Sequence, residues 1–273
     1  MGLGVAYLGR RDYAEMVAAQ ERLVERRRAG ELGDLLLLLE HPPTYTLGRR
    51  TEPGDLLHDR GFYEARGIAV RETPRGGKVT YHGPGQLVAY PILDLRGVGP
   101  QPGRADRVDV AWFVDALETA MTRTLRRWRV PAGKIEGLTG LWVDREGPLP
   151  ADATAASTAA GVGSGRIRKI GSIGLKVSRG VTSHGLAINV DDDLSPFEWI
   201  NSCGIERCGA TSVAAELARS REAAGNGAGR GPLARFTPAP DGVGTALAEE
   251  LAEILGRDLE AIEPAAIGLA EPD

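Results

Sequence analysis

The chain has 273 residues, 42% of them hydrophobic, enough to build a core without covalent staples. Its two cysteines are too few for a disulfide-dependent secreted domain, so a reducing, cytoplasmic setting is expected. A net charge of -4 excludes a broadly basic nucleic-acid binder, and the apolar run Leu35 to Leu39 is far too short to cross a membrane.

The opening MGLGVAYLGRR has no basic start followed by an apolar stretch, so no export signal is expected. From Asp12 to Arg28 the pattern reads as a helix. Asp12 and Glu15 have capping-box spacing, arginines 26 to 28 suit the negative end, and Gly30 can stop it. DLLLLLE reads as a buried strand ended by His41-Pro42-Pro43, with PTYTLGRR as a loop. A short helix at 59–65 and a strand at 68–71 precede two strands, Lys78 to His82 and Gln86 to Leu93, punctuated by glycines. Apolar residues at 113, 117, 121, 125 and 128 give the segment 107–128 one core-facing helical stripe.

GLTGLWV and IRKIGSIGLKVSRG read as two strands of a hairpin, separated by an Ala/Gly/Ser-rich insert at about 145–166 that is expected to be mobile. SHGLAINV is a further strand, and SPFEWI a short helix capped by Ser195 that leads to Cys203. Helices at 211–219 and 243–255 flank a Gly/Pro-rich linker, so a catalytic domain at 1–220 followed by a linker and terminal helix at 221–273 is the expected organisation. Strands and helices mix without a strict alternation. The expected fold class is α/β (α+β), a single domain with a mixed β-sheet flanked by helices.

Cys203 and Cys208 lie five positions apart with no second pair, which disfavours a structural metal site, and no metal is expected. A nucleophile or two core thiols remain. Cys203 follows a short helix and precedes Gly204, a setting where side chain and backbone N–H groups can share a pocket. A thiol needs a base or cation beside it to react at neutral pH, and Lys169, Lys176, His82 and His184 are the candidates. No phosphate loop or dinucleotide fingerprint is present, and no cofactor is expected.

The stretches RGGKVTYHGPGQLVAYPILDL, KIGSIGLKVSRGVTSHGLAINV and FEWINSCGI together resemble the lipoyl(octanoyl) transferase family, within the biotin/lipoate protein ligase superfamily, over about residues 5–220. The resemblance implies a fold of that superfamily and transfer of an octanoyl or lipoyl group from acyl carrier protein to a lysine of a lipoyl domain. The acceptors would be the lipoyl domains of 2-oxoacid dehydrogenase complexes and the glycine cleavage H protein, with no nucleic acid and no membrane involved. It implies that Cys203 carries the acyl thioester and that Lys169 lowers its pKa. It assigns acyl binding to Arg75, Gly76, Gly77, Lys78, Val79, Thr80, Tyr81 and His82, to Ser172, Ile173 and Gly174, and to Gly185, Leu186 and Ala187.

From this follow expected groove walls at 78–82 and 184–190 and a basic rim of Arg49, Arg50, Arg75 and Lys78 for acidic partners. An ATP-dependent lipoate or biotin ligase and a non-catalytic lipoyl-domain binder are the rival readings.

Overall fold

A computed structural model describes residues 2–99, 108–202, 208–223 and 239–270. The first strand, β1 (Gly2–Arg10), leads into helix α1 (Tyr13–Arg28), whose N-cap Asp12 accepts from the backbone N–H groups of Ala14 and Glu15. Strands β2 (Asp34–Glu40) and β3 (Thr44–Leu47), helix α2 (Arg60–Glu64) and strands β4 (Ala69–Glu72), β5 (Val79–His82) and β6 (Gln86–Ile92) follow. After α3 (Val110–Arg127) come β7 (Gly133–Ile135), β8 (Leu138–Asp144), α4 (Ala155–Gly163), β9 (Ile167–Ser178) and β10 (Val181–Asn189). Helices α5 (Val213–Ala223) and α6 (Pro240–Leu255) and strand β11 (Asp258–Ala261) complete the described elements.

The strands form a large mixed sheet in the order β11-β1-β2-β6-β10-β9-β8-β7 and a small one in the order β4-β3-β5. In the large sheet the β1 pairings are parallel and all the others antiparallel.

The leucine run of β2 is explained by burial on both faces. Leu35, Leu37 and Leu39 pack with Met16, Ala19 and Leu23 of α1, while Leu36 and Leu38 meet Phe113, Leu117, Leu247 and Leu251 of α3 and α6. β6 alternates the same way: Val88, Tyr90 and Ile92 face α1, and Leu87 and Ala89 face α3 and α6. The small sheet has its own core of Tyr45, Tyr63, Val79, Tyr81, Phe197 and Ile200. No described helix is long and apolar enough to cross a membrane.

Four expectations need correction. PTYTLGRR is not simply a loop, because Thr44–Leu47 pairs with β4 and β5. The insert at 145–166, expected to be mobile, carries α4. Thr154 and Ser157 form its capping box, and Val162 is buried beside Trp142 and Ile167. A boundary at 220 does not separate the chain, since α6 lies on the main core and β11 extends the sheet beside β1. The short segment Ser195–Trp199 is a 3-10 turn whose N-cap is Leu194, not Ser195. The Gly/Pro-rich stretch at 224–238 lies outside the described residues.

Candidate active site

Lys169 sits on β9 opposite Trp142 of β8, at a bulge: Leu141 pairs with Gly171 but Trp142 with Lys169, so Ile170 is skipped. A bulge re-aims a strand side chain. The Lys169 ammonium donates to the Thr139 carbonyl at 3.0 Å and lies 5.2 Å from the centre of the Trp142 ring. On the backbone, Lys169 N–H donates to the Gly209 carbonyl and the Thr211 N–H donates to the Lys169 carbonyl, each at 2.9 Å. The segment 209–211 is thus clamped along β9 at the lysine.

Beside Lys169 opens a cavity of about 670 Å³, within the roughly 300–1,000 Å³ usual for small-molecule sites. Gly77, Lys78, Val79, Thr80 and His82 line it, together with Ser172, Ile173 and Gly174 of β9 and Gly185, Leu186 and Ala187 of β10. Arg75, Lys169 and Ser202 line the same space. Gly76 and Tyr81 are not among the lining residues; the Tyr81 ring instead packs against Tyr45 and Phe197 in the small-sheet core. Cys203 lies outside the described residues, immediately after Ser202. Cys208 is a buried thiol in the cluster with Trp142 and Ile167.

The expected basic rim is altered. Arg49 and Arg50 line the cavity, but Lys78 is paired with Glu52 at 2.6 Å and with Asp55 at 3.5 Å. Arg75 is not at the rim at all. It is 6% exposed, its guanidinium donating to the Thr46 carbonyl and hydroxyl at 2.6 and 2.7 Å and to the Gly76 carbonyl at 2.9 Å. The loop bearing it touches β9 so closely that a side-chain carbon on Gly174 would sit 3.0 Å from the Arg75 Cδ atom.

Tyr13, Tyr90 and His184 also line the cavity, and His41 stands behind them. His41 binds the Arg11 carbonyl through Nδ1 at 2.6 Å and the Tyr90 hydroxyl through Nε2 at 2.7 Å. Burial lowers His41 and the two cavity-lining histidines, His41 to about 4, His82 to about 3 and His184 to about 4, with the Arg75 charge adding to the effect on His82 and His184. These imidazoles are neutral at physiological pH. Tyr13, Tyr90, Leu138 and Trp142 were not singled out from sequence, and only the burial of their elements could have hinted at them.

A partly open cavity lined by a lysine and by Gly77, Gly174 and Gly185 fits handling of an extended acyl chain. Residues 12–224 match the family model for the lipoyl protein ligase A/B catalytic domain. The octanoyltransferase of Acidobacterium capsulatum is 42% identical over 217 residues, 80% of this chain and 81% of the relative. That of Solibacter usitatus is 45% identical over 208 residues, covering 76% and 80%.

By structure, the bipartite lipoate protein ligase of Thermoplasma acidophilum superposes with a TM-score of 0.61 at 15% identity, over 96% of this chain and 87% of that one. A lipoate-protein ligase A bound with ATP gives a TM-score of 0.60 at 17% identity, over 96% and 89%. These structures share the fold. The chain belongs to the lipoyl protein ligase A/B catalytic-domain family and, within it, to the octanoyltransferases.

Proposed function

We propose that this protein transfers an octanoyl group from acyl carrier protein to a lysine of an apo lipoyl domain, in the cytoplasm, through a thioester on Cys203. The observation that carries the reading is the shared cavity: Lys169, the glycines Gly77, Gly174 and Gly185, and Ser202, the residue before Cys203, all border it. The acceptors are the lipoyl domains of 2-oxoacid dehydrogenase complexes and the glycine cleavage H protein. Arg49 and Arg50 at the cavity are the local positive charge, on an acidic chain, for acidic partners.

In the first half-reaction the Cys203 thiolate, paired with the Lys169 ammonium, attacks the octanoyl thioester carbonyl. The C–S bond to the carrier breaks, and Lys169 gives its proton to the departing carrier thiolate. In the second half the acceptor amine attacks the Cys203 thioester. Lys169 takes the amine proton, the C–S bond to Cys203 breaks, and the thiolate and ammonium are restored. One thioester replaces another and an amide then replaces a thioester, so no ATP is consumed.

Intact mass after mixing with octanoyl-carrier thioester tests this. The expected result is an octanoyl adduct that disappears in Cys203→Ala and is passed to a lipoyl domain without ATP. An adduct that survives in Cys203→Ala, or transfer that requires ATP, rejects the mechanism. In the same assay Lys169→Arg keeps a positive charge but removes the base, and transfer to the lipoyl domain is expected to fall about 100-fold or more. Transfer at the unaltered rate would remove Lys169 from the proton path.

A further inference from the structure

A buried chain of side-chain amides joins the cavity wall to the backbone that clamps Lys169. Its members are His82, Gln86, Asn189 and Thr211, none more than 7% exposed. His82 Nδ1 lies 2.6 Å from Gln86 Oε1. Gln86 Nε2 donates to the Tyr81 carbonyl at 3.1 Å and to Asn189 Oδ1 at 2.9 Å. Asn189 Nδ2 donates to the Thr211 carbonyl at 2.9 Å.

The direction of the whole chain is set by its carbonyl ends. A backbone carbonyl can only accept, so Asn189 must turn its NH2 group to Thr211 and its oxygen to Gln86. Gln86 must then present its NH2 group to Asn189, and the Tyr81 carbonyl demands the same orientation independently. That leaves the Gln86 oxygen facing His82, so Nδ1 carries a hydrogen, and in the neutral ring that burial enforces Nε2 is the bare acceptor. His82 lines the cavity, and its Nε2 makes no hydrogen bond among the described residues.

The other end of the chain reaches the lysine. Thr211, whose carbonyl Asn189 holds, donates its N–H to the Lys169 carbonyl, and its hydroxyl donates to Glu216 at 2.7 Å. We propose that Asn189 is a positioning residue for acyl transfer: through Gln86 it locks the tautomer of His82 on the cavity wall, and through Thr211 it holds the backbone that aligns Lys169. The locked His82 presents a lone pair, not a proton, to the cavity. It accepts from an N–H donor such as the acceptor amine and does not compete with Lys169 for the role of cation.

Nothing in the resemblance to acyltransferases assigns a part to Asn189, which lies on β10 and does not line the cavity. The rate effect rests on the acyl-transfer reading above; the tautomer does not.

Two measurements test the inference. The first is the 15N imidazole spectrum of the unaltered protein from about pH 6 to 9, the range in which an ordinary histidine would titrate. A neutral His82 protonated on Nδ1 and bare on Nε2 is expected throughout, and protonation on Nε2 overturns the chain of donors. The second is Asn189→Asp, which is isosteric, still accepts from Gln86, and sets an acceptor against the Thr211 carbonyl.

Its kcat for octanoyl transfer is expected to fall about 10- to 100-fold with the donor KM little changed, as for a small misplacement of a reacting group. An unaltered kcat, or a loss that tracks the unfolded fraction in a melting curve, overturns the positioning role. If Asn189→Asp does not fold, Gln86→Glu breaks the same chain at its centre while keeping an acceptor for His82, and the same fall in kcat is required. Failure of the unaltered protein to form any octanoyl adduct would instead reject the acyl-transfer reading and leave the tautomer result standing.

Discussion

Gly140 has φ at +109° on β8, and a methyl group there would lie 2.4 Å from the Gly171 carbonyl oxygen and 2.8 Å from Lys169 Cε. No L side chain fits without moving either a strand backbone or the lysine. The Gly140 N–H is also held in place, donating to the Glu118 carboxylate at 2.8 Å. Gly140→Ala is expected to cost about 1–3 kcal/mol in urea denaturation and to depress octanoyl transfer by more than its loss of folded protein explains. A variant with unaltered transfer would show that Lys169 has room to spare. Neither the glycine's conformation nor its closeness to Lys169 could be read from GLTGLWV, because both depend on the register between β8 and β9.

Among the elements, α6 shows best how a segment's place can escape its sequence. Its apolar stripe is visible, and so is a helix; its destination is not. Val243, Leu247 and Leu251 are fully buried against β2, β6 and α3, so the terminal segment closes the main core. Leu247→Ala is expected to destabilise the protein by about 2–5 kcal/mol, measured by denaturant unfolding, and a value near zero would mean α6 is an ornament. The strands β1, β3 and β11 were missed for a related reason. GLGVAYLGR contains glycines that weaken a strand pattern, β3 follows two prolines, and DLEA is short and exposed, so each is held by its partners more than by its own propensity. In the insert, the few apolar residues Leu149 and Val162 join Trp142 and Ile167, which a composition count overlooks.

For the whole molecule, the buried titratable groups set how stability follows pH. His41, His82 and His184 have folded values of about 4, 3 and 4, below the ordinary 6.5 of the unfolded chain. Between those values the unfolded state binds more protons, so their contribution is complete above pH 6.5 and is lost as pH falls toward 4, on the order of 3 kcal/mol for each. Asp192 acts oppositely. Burial, first, raises it from 3.8 to about 8, the neighbouring backbone at Asp192 and Val190 opposing the shift and its acidic neighbours Asp191 and Asp193 adding to it. Its contribution is complete below pH 3.8 and is lost as pH rises through about 8. The three histidines outweigh the one carboxyl on the acid side, and the carboxyl alone acts above it, so these groups place maximal stability near pH 6.5 to 7. Melting temperatures at pH 5, 7 and 8.5 should trace that dome, and Asp192→Asn should flatten its alkaline side and steepen its acid side. A melting temperature that climbs steadily to pH 8.5 contradicts the assignment.

Local pattern carried far in this chain. The capped helix after Asp12, the core stripe of α3, the doubly buried leucine strand, the β8–β9 hairpin and the family resemblance all follow from residues near one another, since periodicity and turn chemistry act over a few positions. What needed the tertiary structure is everything that depends on pairing distant segments: Arg75 buried on Thr46 instead of standing at the rim, the terminal helix and strand closing the core, and the amide chain from His82 to Thr211. Those contacts join residues far apart in sequence, and a hydrogen-bond donor's partner is decided by which strands lie side by side, a choice made by packing of the whole sheet.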